Sequence, residues 1–132
     1  MSESTLLARR TSRESLVEQM QETSAMMPEE KGFISFVDVL MRMGKLTKTD
    51  HDAWRFGRVR SLEERIAVNL SKIGHVLREF QRYARTRDLR PSKTVYQSWG
   101  KGSKTQLRFS KHGDPNIEEA YATHFLKPKE GG

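Results

Sequence analysis

The chain predicts a mainly α domain with a small β-hairpin: a short helical hairpin, one long central helix, a two-stranded basic hairpin and a C-terminal helix. Three observations carry this reading. Apolar residues recur at helical spacing from Leu62 to Ala84. Ser35/Asp38, Thr47/Asp50 and Ser61/Glu64 have the spacing of N-terminal capping boxes. A β-branched and aromatic run over 94–99 is followed by Gly100-Lys101-Gly102-Ser103, a turn signal.

Residues 1–31 read as a flexible or loosely docked arm, carrying a mobile or loosely docked helix. Thr11 and Glu14 have capping spacing, but Leu16, Met20 and Ala25 form only a thin apolar stripe. The following Met26-Met27-Pro28-Glu29-Glu30-Lys31-Gly32 should break any helix. A single globular domain is expected over 32–126, with a disordered tail over 127–132.

Within that domain, Ser35 opens a short helix carrying Phe36, Val37, Val39, Leu40, Met41 and Met43, with Gly44 placed to end it. Thr47 opens a second through Ala53, Trp54 and Phe56, ended by Gly57. The pair has the outline of a helix-turn-helix, which any compact helical hairpin burying Trp54 also has. Ser61 then opens the central helix, expected over 62–87, with Leu62, Ile66, Leu70, Ile73, Leu77, Phe80 and Ala84 on one face. Pro91 stops it. In the hairpin, alternation places Val95, Gln97 and Trp99 on one side and Tyr96 on the other, with Leu107 and Phe109 sharing a side. Tyr96, Lys104, Gln106 and Arg108 are then displayed. Asp114-Pro115 caps the last helix, whose packing face is Ile117, Ala120, Tyr121, Phe125 and Leu126.

Charge is unevenly placed. The chain carries a formal net charge of +7 over 132 residues. Residues 1–66 hold eleven basic and eleven acidic residues, whereas 72–111 hold eleven basic against two acidic, Glu79 and Asp88. A local excess of this kind attracts polyanions, although a small protein also needs net charge to stay soluble. There are no cysteines, which excludes disulfides and Cys-based metal or nucleophile chemistry and fits a reducing cytoplasm. No apolar run approaches the ~20 residues of a membrane helix, and the N-terminus lacks a signal core.

The four histidines, His51, His75, His112 and His124, are scattered, and no phosphate-binding glycine loop, serine nucleophile elbow or dinucleotide fingerprint is present. A hydrolase could be drawn from His112, Asp114, Glu118 and His124, but a loop histidine near a helix N-cap is usually just exposed. The expectation is therefore a non-enzymatic protein without metal or cofactor. Nucleic acid uses the parts better, with DNA ahead of RNA. Arg78, Arg82 and Arg85 lie on one helix face at i, i+4 and i+7; Lys101, Lys104 and Arg108 sit on the hairpin; Arg55 and Arg58 add to them. All are candidate phosphate contacts. Tyr96 or Trp99 could stack on an unpaired base, Trp99 being equally a core candidate. The alternative is a protein-interaction or inhibitor module docking an acidic partner protein.

The segments Trp54-Arg55-Phe56-Gly57-Arg58-Val59, Trp99-Gly100-Lys101-Gly102, Leu107-Arg108-Phe109-Ser110-Lys111 and Tyr121-Ala122-Thr123-His124-Phe125 occur in that order, with Gly113-Asp114 between the last two. Together they resemble a family of small bacterial proteins without an assigned activity, over about residues 32–126. The resemblance implies a compact bacterial domain and carries over no site residues.

Overall fold

The structure is a computed structural model and describes residues 12–128. In chain order these form α1 (Arg13–Lys31), β1 (Phe33–Ile34), α2 (Phe36–Arg42), α3 (Lys48–Arg55), a 3-10 turn (Leu62–Arg65), α4 (Leu70–Thr86), β2 (Arg90–Lys93), α5 (Pro115–Ala122) and β3 (Thr123–Leu126). The class is mainly α with a small β part, as expected. The sheet is antiparallel with β3 central, so β1 and β2 are its edges.

Local capping works where the spacing predicts it. Ser35 Oγ accepts from the Asp38 N–H at 3.2 Å, Thr47 Oγ1 from Asp50 at 3.0 Å, and Asp114 Oδ1 from Asn116 at 2.8 Å. Gly44 and Gly57 follow α2 and α3 with φ of +75° and +74°, the left-handed conformation that reverses a chain after a helix.

The N-terminal segment differs from expectation. Residues 13–31 are a continuous helix packed on α4, with Leu16, Met20, Ser24 and Met27 buried. Steps of four, four and three make a single helical line; Ser24, not the exposed Ala25, fills the third position. Pro28 does not break the helix. It removes one N–H from the last turn, but its carbonyl still accepts from the Gly32 N–H at 2.8 Å. Ser12 is the N-cap, accepting from the Ser15 N–H at 3.2 Å. Thr11, the expected cap, and residues 129–132 of the expected tail lie outside the described residues. Lys127, the first residue of that tail, is docked: its N–H donates to the Gly32 carbonyl at 2.8 Å.

The central helix is shorter than its periodicity suggests. Leu62 and Ile66 are buried, but in and beside a separate 3-10 turn. The Ala67 N–H donates to the Lys45 carbonyl at 2.9 Å, a tertiary bond that takes it out of any helix. Asn69 then starts α4 afresh by accepting from the Ser71 N–H at 2.8 Å. From Ile73 to Ala84 the predicted stripe holds.

Two further corrections concern strands. The C-terminal helix stops at Ala122, because 123–126 is paired on both edges: Phe125 faces Ile34 in β1 and Pro91 in β2. Pro91, expected only to end a helix, lies in an edge strand, where a residue without N–H is tolerated. The basic hairpin has one ladder bridge, Gln97 with Gln106, flanked by Ser98 N–H to Thr105 and Leu107 N–H to Tyr96, both 2.8 Å. Its facing is also reversed on the first strand. Tyr96 turns inward against Phe109 and Trp54, at centroid distances of 5.1 and 5.6 Å, while Val95 and Trp99 are exposed.

The core is a run of touching rings. Phe125 meets Phe80, Phe80 meets Phe36, Phe36 meets Tyr121, and Tyr121 stacks on Phe109 at 5.2 Å. Phe36→Ala should cost about 3–5 kcal/mol of unfolding free energy, measurable by urea denaturation. Met20→Asp should cost at least about 3 kcal/mol by placing a carboxylate in the α1–α4 contact. An unchanged midpoint for Met20→Asp would mean that α1 is not part of the core.

Candidate nucleic-acid interface

The return strand of the hairpin is fixed on both sides. The carbonyl of Arg108 accepts from Trp54 Nε1 at 2.8 Å and from the Leu62 N–H at 3.1 Å. The Phe109 carbonyl accepts from the Glu63 N–H at 3.0 Å. On the other side the Glu118 carboxylate accepts from the N–H groups of Phe109, at 2.9 Å, and Ser110. Glu63 accepts from the Lys111 N–H at 2.9 Å and from the Tyr121 hydroxyl at 3.2 Å. Charge-assisted bonds of this kind hold a short segment that lacks a regular ladder.

The outgoing strand is held by an arginine. Arg55, the last residue of α3, lies 4.7 Å from the Trp99 ring centroid and 5.1 Å from that of Tyr96. Its Nε is buried without a hydrogen-bond partner. Burial pushes the guanidinium below its usual value, partly offset by Tyr96. The charge is accommodated by ring faces instead of a carboxylate, a contact worth about 0.5–2 kcal/mol each. The Trp99 N–H also donates to the Arg55 carbonyl at 2.6 Å. Phe56 meets the Trp99 ring edge-on at 5.6 Å, and Arg58 lies 5.2 Å over Phe56.

Between these two strands and the turn after α3 runs a groove of about 450 Å³. Arg60 and Lys101 are its cations, Phe56 and Trp99 its aromatic wall, and Ser98, Ser103, Thr105 and Gln106 further polar groups; Arg108 also lines it, but its guanidinium lies against Gly113 in a hollow shared with Glu118 and Glu119, and among the described residues no carboxylate lines the groove. The field inside is therefore positive, with ring surface beside it.

The predicted phosphate contacts divide between two surfaces. Lys101 and Arg108 line the groove. Arg55 and Arg58 stand on its aromatic wall, Arg55 behind it and Arg58 exposed. Lys104 is exposed, but its Nζ donates to the Gly100 carbonyl at 2.6 Å and so closes the hairpin tip. Arg78, Arg82 and Arg85 are exposed on α4, and none of them lines the groove. The α4 surface mixes signs: Arg82 is 3.7 Å from Glu79 and borders a hollow with Glu22 of α1, and Arg85 borders one with Glu119. Tyr96 is half-buried and its hydroxyl is 2.8 Å from His124 Nε2. The residues missed from sequence are Arg60 and Phe56, whose signal was the alternation of basic and bulky residues in Arg55-Phe56-Gly57-Arg58-Val59-Arg60.

The residues that could suggest a hydrolase have other tasks. Glu118 binds backbone N–H groups and Asp114 caps α5. His124 is bonded to Tyr96 and stacked on Phe33 at 5.1 Å, and His112 is exposed. Among the described residues no three His, Asp or Glu side chains group as metal ligands would, and no helix is long and apolar enough to cross a membrane.

Tyr96 and His124 are in contact, and both titrate away from their ordinary values. Burial pushes the Tyr96 hydroxyl up to about 12, and burial holds His124 below its ordinary value of 6.5 against the opposing pull of Asp38. The neutral imidazole thus accepts from the tyrosine O–H. Because the unfolded chain protonates His124 first, stability is full above the ordinary histidine value and falls as pH drops through it. Between about pH 8 and about pH 5.5 the wild type should lose more stability in urea titrations than His124→Gln, which takes up no proton. Equal losses would count against a buried neutral His124. Compared with protein-family models, curated proteins and solved structures, the chain shows no match.

Proposed function

We propose that this protein is a non-enzymatic nucleic-acid-binding domain of the cytoplasm that holds phosphates in the groove between the hairpin and the turn after α3. One observation carries the reading: two exposed cations, Arg60 and Lys101, line the same groove as two exposed aromatic rings, and among the described residues no carboxylate lines it. Polyanion binding needs cations that are not already paired, and aromatic surface beside them suits bases more than an acidic peptide. The α4 arginines form a secondary basic face whose attraction is weakened by Glu22, Glu79 and Glu119.

The test is a salt titration by fluorescence anisotropy with labelled DNA. If Arg58, Arg60 and Lys101 each neutralise a phosphate, log K should fall with log salt at a slope of about −2 to −3. Lys101→Ala and Arg60→Ala should each reduce the slope by about one at unchanged thermal stability. Arg82→Ala with Arg85→Ala should change it less. Absence of binding to duplex and single-stranded DNA at low salt would overturn the proposal.

A further inference from the structure

We infer that the groove is built for an unpaired nucleic-acid strand, with a base stacked on the Trp99–Phe56 wall. The inference rests on the proposed function and names the class of ligand. Trp99 and Phe56 are 42% and 45% exposed, the two most exposed ring-bearing apolar residues among the described residues, and they are neighbours in one groove. Isolated exposed apolar residues need no explanation, but here both rings border the cations that would hold the adjoining phosphates.

The wall is also held in place before any ligand arrives. Trp99 is tied through its N–H to the Arg55 carbonyl at 2.6 Å, backed by the Arg55 guanidinium at 4.7 Å, and flanked edge-on by His51 and Phe56, both at 5.6 Å. A large ring flanked by three side chains, on a backbone that is itself bonded to Arg55, yet nearly half in water, loses little freedom when a planar partner covers it. Among the described residues Arg55 has no carboxylate partner that would otherwise explain its place; its role in the structure is to support the ring. Bases in a duplex already stack on one another and present phosphates outward, so a wall of this kind discriminates for single strands. Hydroxyls and an amide from Ser98, Ser103, Thr105 and Gln106 offer hydrogen bonds without a fixed base pattern, which fits little sequence preference.

The experiment compares a single strand of about 15 nucleotides, as DNA and as RNA, with the duplex of the same sequence, at one salt concentration, using the full chain. Tryptophan emission and anisotropy are both read; Trp54 is fully buried and serves as a constant background. The single strand should bind at least about tenfold more tightly than the duplex and quench emission. Trp99→Ala should lose about tenfold in single-strand affinity and change duplex affinity less than about twofold, while Trp99→Phe retains most of the binding. Phe56→Ala, at an exposed position in the same wall, repeats the test should Trp99→Ala lose its fold. Equal affinity for duplex and single strand, or equal losses on both with Trp99→Ala, would overturn the inference and leave phosphate binding in the groove intact. Failure of both probes to bind would overturn the two together. The ratio of DNA to RNA affinity identifies which sugar the strand carries.

Discussion

Phe109 joins the two halves of the molecule. Its ring stacks on Tyr121 of α5 at 5.2 Å with an interplanar angle of 8°, and touches Trp54 of α3 and Tyr96 of the outgoing strand. Its N–H is held by Glu118 and its carbonyl by the backbone of Glu63. Through Tyr121 the same contact reaches Phe36, Phe80 and Phe125, and so the sheet and α4. The hairpin has only one bridge of its own, and an isolated hairpin in water is marginal at best. Its geometry therefore depends on this junction, and the position of the groove depends on the hairpin.

The same junction explains the sign of the groove. Glu63 and Glu118 turn inward to satisfy backbone N–H groups of residues 109–111, and Asp114 is taken up by the first turn of α5. Carboxylates that could have neutralised the hairpin are occupied in holding it. Arg60 and Lys101 stay in the groove, which no carboxylate lines among the described residues. On α4 the opposite happens: Glu22 arrives from α1 beside Arg82, and Glu79 lies on the same helix. Net charge by sequence window puts both regions in one basic stretch, but packing separates them. A phosphate is attracted by the local balance of charge, which screening limits to about 10 Å at moderate salt.

What the sequence discloses follows from how local each feature is. Caps at Ser35, Thr47 and Asp114 depend on residues two or three positions away, and all three form. The stripe from Ile73 to Ala84 is a strong periodic signal and ends up buried. Leu62 and Ile66 fall in phase with the stripe and so suggest an earlier start for α4, while the bond that takes Ala67 out of a helix comes from Lys45. In α1 the apolar residues Leu16, Met20 and Met27 are few and Pro28 weighs against a helix that continues past Met26, which suggests loose docking; the small Ser24 completing the line is silent in a hydrophobicity pattern. β3 continues the helical apolar spacing of α5, and only its pairing with β1 and β2 makes it a strand. Tyr96 and Trp99 exchanged their expected sides because Arg55 and His124, distant in sequence, offer one a cation and the other a hydroxyl partner. The groove spans residues 56–108, so Arg60 and Phe56 join Lys101 and Arg108 only in three dimensions.

We propose that a strand binds in the fixed groove between the hairpin and the turn after α3, and not on the arginine face of α4. Amide chemical-shift mapping of the isotope-labelled protein during titration with single-stranded DNA tests it most directly. The shifts should concentrate at residues 55–60 and 98–108, together with the Trp99 indole N–H, while Arg78, Arg82 and Arg85 move little. Shifts concentrated on α4, with the groove unmoved, would contradict it.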